Sequence, residues 1–164
     1  MKNTLLMNFS VDKENKKIKV EREFAAPVEK VWAAWTDRKI LDQWWAPKPW
    51  QAKTKSMDFR EGGSWLYAMV GPDNNPQYCR ADYQSIQKLK SFTGLDAFCD
   101  ENGNINTDFP RSQWNVSFSP NGDTTLVRIE VSYSKVEDLE KIMEMGFKEG
   151  FTAALENLDG LFNS

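Results

Sequence analysis

What most limits how this chain can fold is an apolar stripe near its C-terminus. Leu139, Ile142, Met143, Phe147, Phe151, Ala154, Leu155, Leu158 and Phe162 recur at intervals of three and four. That spacing puts them on one face of a single helix, roughly six turns long. So long an apolar face needs a broad partner surface. The segments before it offer one, because they alternate apolar and polar residues with a period of two, the pattern of half-buried strands. The chain is therefore expected to form one α+β domain over residues 1–164, a long C-terminal helix packed on a curved antiparallel sheet. Its 164 residues are enough for a real core.

The period-two pattern places strands at 4–10, 18–24, 52–59, 64–70, 77–87, 92–98, 112–119 and 124–133. Ile18, Val20, Arg22 and Phe24 share one face of the second, and Trp65, Tyr67 and Met69 share one face of the fourth. Pro27 suits the first turn of a helix, where its missing N–H costs nothing. Val28, Val31, Trp32 and Trp35 continue that helix. Thr36 and Asp37 are N-cap types for a second short helix, which carries Ile40, Leu41, Trp44 and Trp45. Pro47 and Pro49 stop it. Asn121-Gly122 is a hairpin signal between the last two strands. Ser134 followed by Glu137 reads as a capping box for the C-terminal helix.

Composition narrows the function classes. The formal charge is −3, from 21 Lys and Arg against 24 Asp and Glu, so nothing argues for nucleic acid or an anionic membrane as partner. No apolar run approaches the ~20 residues that cross a bilayer. Leu5-Leu6-Met7 is too short for a signal-peptide core, which points to the cytoplasm. Cys79 and Cys99 form no CxxC pair and read as two thiols in a reducing compartment. There is no histidine at all. That removes the His-based triads, the imidazole metal sites and the commonest general base near neutral pH. No metal site, cofactor motif or phosphate loop is present, because Glu61-Gly62-Gly63-Ser64 lacks both the length and the Lys.

Two features suggest a pocket. Gly146 and Gly150 fall on the apolar face of the expected helix. Each costs roughly 1 kcal/mol against Ala there, so the absence of a side chain is expected to serve either close helix–sheet approach or room for a ligand. The aromatic load is also more than a small core needs. The expected lining is Trp45, Met57, Trp65, Tyr67, Met69, Arg80, Trp114, Met143, Gly146 and Phe147. This is the mixture of apolar wall and few polar groups that small-molecule sites use. Arg80 has the alternation parity of Tyr78 and Asp82, and a solvent-facing position is its simplest reading.

Several motifs together resemble a known family. They are the run from Val20 to Trp32, then Ala34-Trp35-Thr36-Asp37, Gln43-Trp44-Trp45-Ala46-Pro47, Gly62-Gly63-Ser64-Trp65, and Met145-Gly146-Phe147-Lys148-Glu149-Gly150-Phe151. The order resembles the family named for homology to the activator of the heat-shock chaperone ATPase (AHSA type), within the START-like SRPBCC superfamily. The resemblance covers residues 18–162 and leaves 1–17 as an extension. It implies a helix-grip fold, with about six strands around the C-terminal helix and two short helices after the first main strand. It also implies a cavity between helix and sheet.

Three functions follow as expectations. The first is a non-catalytic domain that binds an apolar small molecule. The second is a cyclase- or hydrolase-type enzyme working through a pocket carboxylate or Tyr, for which an inward carboxylate would be the sign. The third is a chaperone ATPase regulator in the stress response, acting through its surface. A homodimer is compatible with each.

Overall fold

The period-two segments all become strands, and all join one antiparallel sheet. A computed structural model, which describes residues 5–163, places them in chain order as β1 Met7–Asp12, β2 Lys17–Phe24, β3 Gln51–Met57, β4 Ser64–Val70, β5 Pro76–Gln87, β6 Ser91–Cys99, β7 Ser112–Asn121 and β8 Thr124–Ser132. Position 4, where the first strand is expected to begin, lies outside the described residues. The sheet order is β1-β2-β8-β7-β6-β5-β4-β3. Neighbours from β3 to β8 are hairpin-like, but β2 pairs with β8, Phe24 opposite Thr125. Eight strands exceed the six that the family resemblance implies. One addition is β1, formed by the extension and paired with β2 from Met7↔Arg22 to Asp12↔Lys17.

Alternation sends one face of the sheet inward. Ile18, Val20 and Phe24 of β2 and Val127, Ile129 and Val131 of β8 are essentially fully buried. Arg22 shares their face, and it is accommodated by an ion pair to Asp159 on the C-terminal helix. The two short helices are α1 Val28–Thr36 and α2 Arg38–Trp44. Asp37 caps α2 by accepting a bond from the Lys39 N–H at 2.9 Å. Trp44, wholly buried, donates its indole N–H to the Ala34 carbonyl at 2.9 Å and so ties α2 to α1.

The C-terminal stripe departs from expectation. It is two helices, α3 Val136–Glu144 and α4 Phe147–Phe162, broken at Met145-Gly146. Gly146 has φ +92°, a left-handed conformation that suits Gly and ends α3 as it begins α4. The capping box is absent as well. Lys135 holds the N-cap position, so Glu137 is the second helical residue and not the third, and no side chain caps the helix.

Candidate functional site

At the α3–α4 break the helices leave the sheet uncovered, and a cavity of about 290 Å³ opens there. The strands contribute mainly through their inward parity, with Ala97 of β6 as an exception. Tyr67 and Met69 come from β4, Gln77 and Cys79 from β5, Asp96 and Phe98 from β6, and Ser112 and Trp114 from β7. Tyr133 follows β8; Trp45 and Pro47 follow α2. The helical side is Ile142, Met145, Gly146, Phe147, Gly150 and Phe151. The walls are mostly rings in mutual contact. Trp114 lies 5.6 Å from Phe151 and 5.8 Å from Trp45, centroid to centroid, and Phe147 stacks on Phe151 at 5.4 Å.

The glycines owe nothing to close helix–sheet approach. A Cβ on Gly146 would find only the Glu149 carboxylate, 4.0 Å away, and one on Gly150 would meet Pro47 at an ordinary 3.8 Å. Gly146 is needed for its backbone conformation, whereas Gly150 leaves space.

One ionisable carboxyl lies among the lining residues. Asp96 accepts bonds from the Ser112 N–H at 3.0 Å and the Trp114 indole N–H at 2.9 Å. Burial pushes it up to about 6, against the lowering pull of Ser112, Trp114 and Arg111. Nearby groups shift the same way. Burial raises Tyr67 and Tyr133, and it pushes the Cys79 thiol up to about 12. Tyr67 accepts the Trp45 indole N–H at 3.0 Å. A narrower slot of about 50 Å³ continues past Asp96 between Trp35, Leu41, Trp65, Tyr83, Phe92 and Val116. Trp45, Tyr67, Asp96 and Trp114 border both spaces.

Of the ten residues expected to line the site, the structure brings Trp45, Tyr67, Met69, Trp114, Gly146 and Phe147 to the cavity. Trp65 borders the slot instead, stacked on Tyr67 at 3.9 Å. Met57 pairs with Trp65 at the far end of edge strand β3 and lines a separate hollow. Arg80 lines that hollow too. Alternation turns Cys79 inward, so Arg80 points away and binds Asp82 and the Gly103 carbonyl. Met143 packs against the core from α3 and does not border the cavity, whereas its neighbour Ile142 does. Asp96 was not among the expected residues. Its signal is parity, since Phe92, Gly94, Asp96 and Phe98 alternate along one strand face.

Among the described residues, no group of three or more His, Cys, Asp or Glu is placed to hold a metal ion. No helix is long and apolar enough to cross a membrane.

A sheet that grips C-terminal helices over such a cavity defines a helix-grip, START-like protein. The chain belongs to the family of activator of Hsp90 ATPase homolog 1-like proteins, whose model matches residues 25–163. Solved structures agree. The protein Ms6760 of Mycobacterium smegmatis is 30% identical with a TM-score of 0.88, over 96% of each chain. A protein from Arthrobacter aurescens is 29% identical with a TM-score of 0.90, over 95% of this chain and 91% of that one. The AHSA1 protein of Silicibacter pomeroyi shares the fold at 20% identity and a TM-score of 0.69, over 88% and 95%. No curated protein matches the chain.

Proposed function

We propose that this chain binds a small, largely apolar molecule in the cavity between the α3–α4 break and the sheet. The observation that carries the reading is Gly150. It stands in the middle of the cavity's helical wall with nothing closer than Pro47, where almost any other residue would favour the helix more. Burying apolar ligand surface there gains roughly 25 cal/mol per Å².

A surface role as a chaperone ATPase regulator has less behind it. Among the described residues the exposed large apolar side chains are Leu6, Val11, Ile105 and Met145, spread over the β1 edge, the β6–β7 connection and the helix break. Such scatter is ordinary for a surface. Enzyme chemistry is the second reading, and Asp96 is what favours it. Against it, fixed donors hold both Asp96 oxygens, and the neighbouring Tyr67, Tyr133 and Cys79 are all poor proton carriers at neutral pH.

The test uses the neutral fluorophore N-phenyl-1-naphthylamine. Wild type is expected to bind it, and Gly150→Leu, which fills the cavity, to lose most of that binding while staying folded by circular dichroism. Unchanged binding in the variant would place the ligand elsewhere. Mass spectrometry of small molecules recovered after incubation with cell extract decides between the readings. Recovery of an unaltered compound fits a binding protein. A product that requires Asp96 moves the assignment to an enzyme.

A further inference from the structure

We propose that the preferred ligand is an apolar amine, whose protonated nitrogen sits between the Asp96 carboxylate and the surrounding aromatic faces. This rests on the cavity being the binding site and adds the chemical class of what it takes.

Three observations converge. The first is the charge balance of the walls. Asp96 is the one charged side chain that lines the cavity, and no Lys or Arg lines it. Around it, Tyr67 on β4, Cys79 on β5 and Tyr133 after β8 are all raised by burial and therefore neutral near pH 7. Ser112 and Trp114 on β7 contribute neutral donors. The nearest cation, Arg111, is engaged by the Asp82 carboxylate at 2.6 Å and by the backbone carbonyls of Leu95 and Asp96. From the helical side, Phe147, Gly150 and Phe151 bring no charge. A negative carboxylate thus faces the cavity without a cation of its own.

The second observation is capacity. Asp96 accepts from the Ser112 N–H, the Ser112 hydroxyl and the Trp114 indole N–H. A carboxylate has about four acceptor sites, so a donor entering from the cavity still finds room. The third is the ring arrangement. Trp45, Trp114, Phe147 and Phe151 surround the same space with centroid separations of 5.4 to 6.1 Å. Aromatic faces attract cations, more strongly when water is excluded. An anionic ligand would meet repulsion from Asp96. A neutral one would leave the buried charge uncompensated, which is costly.

The experiment compares three probes that share one apolar cage: 1-adamantylamine, 1-adamantanol and adamantane-1-carboxylate. Calorimetric titration is run at about pH 7.5 and about pH 5 on wild type and Asp96→Asn. At the higher pH the amine is expected to bind on the order of tenfold more tightly than the alcohol, with the carboxylate weakest. The amine keeps its charge throughout, while Asp96 gains its own as pH rises through about 6. The amine's advantage should therefore shrink at about pH 5. It should vanish in Asp96→Asn at both values. The pH comparison on wild type stands even where the variant folds poorly. Equal binding of amine and alcohol would overturn the amine assignment and leave the cavity as the site. Preference for the carboxylate would overturn it as well. Failure of all three probes, together with failure of the neutral fluorophore, would remove the cavity reading itself.

Discussion

The two ends of the helix–sheet interface are built from the same residue types and behave in opposite ways. At the α1 end, Trp32 meets Phe118 at 5.1 Å, and Phe59 meets Tyr83 at 4.8 Å and Phe92 at 5.7 Å. Helix α1 packs on β7 and β8 there, and Leu155 and Leu158 of α4 are fully buried in the same core. At the other end, Trp45, Trp114, Phe147 and Phe151 sit at similar separations, yet they surround an opening. Ring count does not separate the ends. Gly146, which breaks the helix, and Gly150, which leaves its wall bare, do. An aromatic cluster becomes a core where a helix presses on it and a pocket where the helix steps back.

Substitutions at the two ends should make that contrast measurable. Leu155→Ala at the closed end is expected to cost about 2–5 kcal/mol in urea denaturation, since the neighbours cannot collapse fully onto the lost volume. Phe147→Ala, whose side chain already borders empty space, should cost roughly half of that or less. Similar losses at both would mean that the two ends are equally packed.

The next effect belongs to Asp96, and its sign follows from the raised value. The folded state binds its proton between the ordinary carboxyl value of 3.8 and about 6, where the unfolded chain has already released it. Stability contributed by this group is therefore lost as pH rises through that window. Relative to Asp96→Asn, wild type should weaken by about 2 kcal/mol between about pH 4 and about pH 7. A flat difference across that range would show that the carboxyl is not desolvated. Groups whose stabilisation is lost in acid, such as Asp82, held low by the Arg80 and Arg111 guanidinium groups against the cost of its burial, are common to both proteins and cancel.

The smallest effects concern the glycines, and they should have opposite signs. Gly150→Ala replaces a poor helix former with a good one and meets Pro47 only at ordinary contact distance. It should stabilise the protein by about 0.5–1 kcal/mol. Gly146→Ala forces a side chain into φ +92° and should destabilise by about 1 kcal/mol or more. Thermal denaturation of the pair separates space-making from conformation.

Much of the fold was legible in the sequence because strand parity and helix spacing are local. All eight strands and both short helices lie within a few residues of where alternation and turn signals put them. The break at Gly146 was not legible, because a glycine on an apolar stripe looks the same in a helix interior as in a left-handed turn. Six of the ten residues expected to line a pocket border the cavity, and the others lie elsewhere for separate reasons. For Arg80 the opposite parity of Cys79 decides the direction. Met57 and Trp65 lie too far along their strands, which depends on register between partners. Asp96 was readable by parity with Phe92 and Phe98, but a lone acidic residue on a hairpin strand is usually solvent-facing, and only the long-range pairing with β7 encloses it.

The pairing of β2 with β8 has a consequence for how the chain is made. Strands β3 to β6 can pair with sequence neighbours as each leaves the ribosome. Strand β2 has only β1 beside it until residues 124–132 arrive to take its other edge. For most of synthesis, then, the backbone of Ile18 and Val20 presents an open edge in a row of residues destined for the core. The newborn chain is most vulnerable to off-pathway pairing just before its last strand emerges.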